Sequence, residues 1–268
     1  HLWTLLGPQA AFCPDIVDRN GNRRRALLQG TNKAGAPAAP PGGQSAKFEV
    51  STPAKGVGVL RIASFDPALR DAFAAFLDKA FDTLDKHGTH TLLIDIRDNP
   101  GGAHDVSDLL VGYLIDRPVP TASKLVARIT DDNRDLDPDA AVGNVVSVPF
   151  REPVERKLSR APFKGRVFVL VSQDTYSQAI VFATTLKDAG IARIIGEVTG
   201  GNANQTGQII ITSLANTKLQ ALSPIYVIYR PSGDTAMVGL QPDIALPHDP
   251  LAPERMIEAA LRSIAEKK

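Results

Sequence analysis

Cysteine is scarce: Cys13 is the only one in 268 residues. That excludes an intrachain disulfide and a cysteine metal cluster. Charge of one sign is also lacking. Thirty Lys and Arg against 29 Asp and Glu leave a net charge of +1. This gives no electrostatic case for nucleic acid or for a membrane surface as partner. No apolar run is long enough to span a bilayer. A leader of the charged, apolar, small-residue type is absent too. With His1 rather than Met in first place, the chain reads as processed or as a fragment. No His, Asp or Glu spacing suggests a metal, and no repeat of fixed period is seen. What remains, 43% hydrophobic over this length, suits one large globular domain or two small ones.

Strand and helix patterns alternate along most of the chain, which indicates an α/β fold. Near the N-terminus, residues 15–17 and 26–28 flank Asn20-Gly21, a hairpin-turn signal, with Arg23, Arg24 and Arg25 read as its solvated end. Residues 31–46 are rich in Ala, Pro and Gly and read as a loop or linker. Two regions follow from this, 1–46 and 47–268. In the second, residues 48–50 and 56–62 read as strands, and 67–86 as an amphipathic helix led by Pro67. Residues 92–96 read as a buried strand and 106–115 as the next helix. Residues 117–161 are irregular, with an acidic run from Asp131 to Asp139 and a candidate strand at 145–148. Later strands are expected at 167–171, 194–196, 208–212 and 225–229, and a last helix at 253–265.

Two strand-to-helix junctions draw the eye. Residues 167–171 are an apolar run broken by Ser172, Gln173 and Asp174, after which Ala179, Ile180, Phe182, Ala183 and Leu186 keep helical spacing. Ser177 therefore sits where strand hands over to helix. It reads either as an N-cap or as a nucleophile favoured by the positive helix end and by free N–H groups. The other junction carries Asn99-Pro100-Gly101-Gly102. Paired glycines turn sharply and expose backbone N–H groups. Either Gly101 or Gly102, together with the Gln178 N–H, forms a candidate oxyanion hole. Asp95 and Arg97 read as residues that hold the glycine loop.

The segments LLIDIRDNPGG (92–102), VFVLVSQDTYSQAIVFATTLKDAG (167–190), IIGEVTGG (194–201) and GLQPDIAL (239–246) resemble, in order and approximate spacing, the tail-specific or C-terminal-processing serine peptidases. The resemblance covers residue 48 to the C-terminus. It implies a ClpP/crotonase-like domain of β-β-α units, with Ser177 as nucleophile and no cofactor. It also implies a polypeptide substrate and a periplasmic, secreted or envelope-associated location. Three departures stand out. The position of the family's Lys base is Asn202. Gln178, Ala179 and Ile180 follow the serine where small residues and a Glu are usual. No PDZ module is seen.

A serine hydroxyl needs a base. Lys187 lies ten residues along the same helix and reads as a solvated surface residue. His104 follows the glycine pair. His87 and His90 look like cap or surface groups, and His248 lies in a Pro-rich loop. His1 is favoured over His104, because His1-Leu2-Trp3-Thr4 resembles the tail of the segment that carries a His base in PDZ-free, tricorn-like members. By the same resemblance Asp234 is the nearest candidate for the orienting acid, and Glu197 is a second acidic group near the site. The leading expectation is a serine peptidase. The alternatives are a catalytically silent module binding peptide or an apolar ligand, and a crotonase-type acyl-thioester enzyme.

Overall fold

A computed structural model of the chain describes residues 11–13, 15–17, 21–29, 47–247 and 253–266. The chain forms two compact units, His1–Ala46 and Lys47–Lys268. His1, His248 and the whole of the 31–46 segment lie outside the described residues.

In the first unit, β1 (Ala11–Phe12) pairs with β4 (Leu28–Gln29), and β2 (Asp15–Val17) pairs with β3 (Arg23–Arg25). The hairpin is thus closed by the three arginines rather than by residues 26–28. Ile16 faces Arg24, and the Arg25 Nε donates to Asp15 Oδ1 at 3.2 Å. An exposed two-stranded ribbon takes its register from such cross-strand pairs when no core constrains it.

The second unit is built on a six-stranded sheet. Its strands are β5 (Phe48–Ala54), β6 (Val57–Ile62), β7 (Thr91–Asp95), β10 (Arg166–Val171), β11 (Ala192–Gly196) and β14 (Ile244–Ala245), in the order β14-β11-β10-β7-β6-β5. All but β5 run parallel, so the middle strands are covered on both faces and read as unbroken apolar runs. Alternate residues feed two separate cores. Leu92, Ile94, Val167, Val169, Val171 and Ile194 face α1 (Arg70–Lys86), α2 (His104–Leu114) and α3 (Gln178–Asp188). Leu93, Phe168, Leu170 and Ile195 face Met256, Ala260 and Ile264 of α4 (Pro253–Glu266), one helical stripe at four-residue spacing. The first predicted helix is divided: Pro67–Leu69 is a 3₁₀ turn, capped by Asp66 Oδ1 accepting from the Ala68 N–H at 2.9 Å, and α1 follows.

The region read as irregular supplies part of a second sheet. Strands β8 (Lys124–Arg128) and β9 (Val145–Val148) join β12 (Gln205–Ser213) and β13 (Gln220–Tyr229) in the antiparallel order β12-β13-β8-β9. Only Leu125 and Ala127 of β8 are buried, between a flanking Lys and Arg, so its apolar signal is short. β12 and β13 both extend well beyond the predicted spans.

The parallel arrangement brings the ends of β7, β10 and β11 to one rim of the sheet. Ligands of open α/β sheets bind at such carboxyl ends. The loops that follow these three strands carry residues 96–102, 172–177 and 197–202.

Candidate active site

Ser177 is the residue immediately before α3, and its backbone is at φ 48°, ψ −123°. A non-glycine residue with positive φ stores strain of about 1–3 kcal/mol, and such residues persist only where their surroundings over-determine them. Its side chain makes no capping hydrogen bond to α3, so the N-cap reading does not describe it. The residue is exposed. Behind it, Gln178 opens the helix, and a first-turn N–H has no partner within its own helix.

What over-determines the turn is a set of hydrogen bonds to the loop after β7. The Tyr176 N–H donates to Asn99 O at 2.9 Å. The Ser172 hydroxyl donates to Arg97 O at 2.8 Å, and the Thr175 hydroxyl to Ile96 O at 3.0 Å. Thr175 Oγ1 also accepts from the Ser172 N–H at 3.0 Å. Ser172 and Thr175 are fully buried, so each of these bonds forms out of reach of water.

Asp95 and Arg97 clamp the same loop. Arg97 Nε and Nη2 donate to the two Asp95 carboxylate oxygens at 2.8 and 2.7 Å, with the side chains 2% and 3% exposed. Burial alone would lower the Arg97 pKa, but the bond and charge of Asp95 more than offset it and hold the guanidinium above its ordinary value. Removing one partner of such a pair leaves an uncompensated buried charge. Arg97→Met is therefore expected to cost about 3–5 kcal/mol of stability. A urea-unfolding midpoint equal to that of the wild type would contradict this reading of the clamp.

The two glycines differ in what their N–H groups do. Gly101 N–H donates to Asn99 Oδ1 at 2.8 Å. Among the described residues, none accepts from Gly102 N–H. The peptide groups on either side of Gly102 turn to Phe65: the Phe65 N–H donates to Gly101 O at 2.9 Å, and the Ala103 N–H to Phe65 O at 2.8 Å. Gly101 lies against the serine. A Cβ built on it would sit 2.8 Å from both Ser177 Cβ and Gln178 N. At Gly102 a Cβ would fall 2.0 Å from Phe65 O. Both positions are closed to any side chain, and both have φ in the left-handed half of the map, at 101° and 141°.

The third loop closes the far side. Gly200 N–H donates to Gln173 O at 3.2 Å, and Gly201 packs under Tyr176 and Ile180. Asn202 pairs with Gly239. The strap containing residues 230–240 is held at two points. Arg230 makes a bidentate bond to Asp188, at 2.6 and 3.0 Å, and buried Asn204 donates to Asp234 O and Ala236 O, both at 2.9 Å.

The other candidates fall as follows. Asp234 is half exposed within this strap; its Oδ1 accepts from the Ala236 N–H at 2.9 Å, and Oδ2 lies 3.8 Å from Arg230. His104 is an exposed first residue of α2, and its carbonyl accepts from the Ser107 hydroxyl at 2.9 Å. Lys187 is not a solvated residue: its Nζ donates to Gln241 O at 2.7 Å and to Asp243 Oδ1 at 2.8 Å. That pair, with the Ile194 N–H, outweighs burial and lowers the Asp243 pKa. Glu197 N–H donates to Val171 O at 3.2 Å. Among the described residues, no side chain is hydrogen-bonded to the Ser177 hydroxyl, and no group of His, Cys, Asp and Glu is arranged to hold a metal ion.

One contact was not foreseen. The Gln178 side-chain amide donates to the Ser107 hydroxyl at 3.0 Å, tying the first turn of α3 to that of α2. Nothing in sequence spacing pairs residues 71 apart.

Comparison with known proteins gives the same region. Mature CPAF complexed with lactacystin is similar at 17% identity with a TM-score of 0.60, over 97% of this chain and 67% of that one. A lipoprotein from Streptococcus agalactiae is similar at 15% identity and a TM-score of 0.51, over 82% and 70%. The photosystem II D1 C-terminal processing protease is similar at 21% identity and a TM-score of 0.46, over 85% of this chain. This chain spans about half of that protease, 53% of its length. At such identities the likeness concerns the fold. The sequence profile of peptidase family S41 matches residues 56–246, a span that holds both glycines, Ser177 and the strap. The chain belongs to peptidase family S41, as the motifs of the tail-specific, C-terminal-processing peptidases led us to expect.

Proposed function

We propose that the protein is a serine peptidase that cleaves polypeptides through an acyl-enzyme on Ser177. The observation that carries this reading is the backbone of Ser177, strained at φ 48° beside a glycine that leaves no room for a side chain. A cap or a plain turn has no use for such an arrangement. A nucleophile does, since the turn presents the hydroxyl at the mouth of the sheet with the N–H of the next residue beside it.

In this reading the Ser177 oxygen attacks the scissile carbonyl. The carbonyl oxygen takes up negative charge between two N–H groups, those of Gln178 and Gly102. Gly102 is preferred to Gly101 because the Gly101 N–H is already committed to Asn99. Fixed donors of this kind stabilise the developing charge without reorganising. His1 accepts the serine proton and passes it to the leaving amine, and Asp234 orients the imidazole. Water then releases the acyl group. The support for His1 and Asp234 is the sequence resemblance, with the strap carrying Asp234 held against the third site loop. In this reading the base belongs to residues 1–46, and the nucleophile, the oxyanion donors and the acid belong to residues 47–268. A periplasmic, secreted or envelope location belongs to the same reading. Among the described residues, no helix is long and apolar enough to cross a membrane.

The test is incubation with a reduced, carboxymethylated protein, followed by mass spectrometry. Discrete fragments that vanish after treatment with a serine-directed phosphonate are expected. An intact polypeptide after prolonged incubation with the folded protein would count against the proposal.

A further inference from the structure

The second sheet ends in a ribbon that the peptidase reading does not use. β13 pairs with β8 only from Tyr226 to Tyr229. Beyond that point, from Gln220 to residue 225, it has β12 alone for a partner, and β12 is the edge of its sheet. Across the ribbon Ile211 stands opposite Leu222, and Ile209 opposite Pro224. These four share one face, since side chains alternate along a strand. Ile210 lies on the other face, and Leu214 and Leu219 lie next to the turn.

None of the six aliphatic residues is covered. Ile209, Ile210 and Ile211 are 54%, 44% and 58% exposed, and Leu214, Leu219 and Leu222 are 46%, 61% and 61% exposed. On the one face, Ile209, Ile211 and Leu222 together leave roughly 300 Å² of mainly apolar surface in water, within the range for the largest patch on a monomer. A stable interface takes about 800 Å² from each partner, so these three side chains would form the apolar centre of one and the rest of the ribbon face its rim.

Charge is missing from the same stretch. Between Gln205 and Ile225 the only charged residue is Lys218, in a chain that is 22% charged. Edge strands of monomers are normally guarded by charges or prolines. β12 carries neither, and the one proline of the ribbon, Pro224, is on the inner strand. A membrane-seeking hairpin would carry basic residues and interfacial aromatics; residues 205–225 contain no aromatic residue and a single Lys. A partner of opposite charge would find nothing to pair with. A purely aliphatic face is, however, complementary to itself, which is the requirement of an isologous contact between two copies.

We infer that this ribbon is a homodimer interface, in which the face of Ile209, Ile211 and Leu222 packs against the same face of a second copy of the chain. The inference does not rest on the peptidase reading. It also has a consequence for the site: β12 begins three residues after Asn202, so the contact would steady the loop that closes the third side.

Sedimentation equilibrium of the full chain tests it. At about 10 μM the wild type is expected at twice the monomer mass, while Ile211→Lys/Leu222→Lys is expected at the monomer mass, with dimerisation weakened at least about 100-fold. Ile211→Thr/Leu222→Thr keeps strand propensity and removes apolar area; it should weaken the dimer by about tenfold or more with an unchanged circular dichroism spectrum. A wild type that stays monomeric at about 100 μM would overturn the inference. So would folded double variants that dimerise as tightly as the wild type, or a monomeric wild type that floats with phosphatidylcholine–phosphatidylglycerol vesicles.

Discussion

Ser177→Ala is expected to lower kcat against an unfolded polypeptide by about 10⁴–10⁶-fold, with little change in KM or thermal stability. The hydroxyl makes no hydrogen bond to a described residue, so its loss leaves none of the turn's own bonds unmade. Strain at φ 48° persists in the variant, and the melting temperature should stay within a few degrees of the wild type. If His1 is the base, His1→Ala falls by a similar factor. The double variant is then no worse than either single one, because nucleophile and base act as a unit. His104→Ala separates the two histidines: it should retain activity within about threefold, since an exposed first-turn residue contributes little to stability or binding. A His104→Ala variant as dead as Ser177→Ala would transfer the base to His104.

The second large effect is expected at Gly101. An added methyl group would stand 2.8 Å from Ser177 Cβ and Gln178 N and 2.9 Å from Tyr176 O. All three atoms belong to the nucleophile turn, and none is the loose end of a side chain. The backbone must move, and moving it displaces the nucleophile and an oxyanion donor together. Gly101→Ala should therefore lose about 10²–10³-fold in kcat, together with about 1–3 kcal/mol of stability from the disfavoured φ of 101°. Gly143→Ala is the control. Its φ is 92°, but a Cβ there would meet nothing within 4 Å. It should share the strain and keep the activity within about twofold. Equal activity losses in the two variants would reduce the Gly101 effect to strain alone.

The parts of the molecule legible in the sequence are those with strong burial. β7 and β10 are covered on both faces and appear as unbroken apolar runs; α1 shows its stripe because Phe73, Leu77, Ala80, Phe81 and Leu84 are all buried. In the second sheet the sequence shows β9 and the middle parts of β12 and β13 but not β8 or the full length of the ribbon, because these strands are half exposed. β8 hides two residues between charged ends, and the distal part of the β12–β13 ribbon is exposed on both faces, so alternation carries no message there. The N-terminal hairpin failed in register for the same reason.

At the site, residue types were readable and conformations were not. A serine between strand and helix has the same letters whether it caps or attacks. The positive φ and the missing cap bond distinguish the two. Two adjacent glycines likewise look alike until one N–H is seen bonded to Asn99. Lys187 was misjudged because its partner Asp243 lies 56 residues on, brought near by the pairing of β11 with β14.

The central claim is that Ser177 is an activated nucleophile. The most direct measurement is reaction of the full chain with a fluorophosphonate, followed by peptide mapping. One adduct is predicted, on Ser177, absent from Ser177→Ala and strongly slowed in Gly101→Ala. A folded protein that takes up no label at Ser177 would contradict the account and identify the chain as a silent binding module on the peptidase fold.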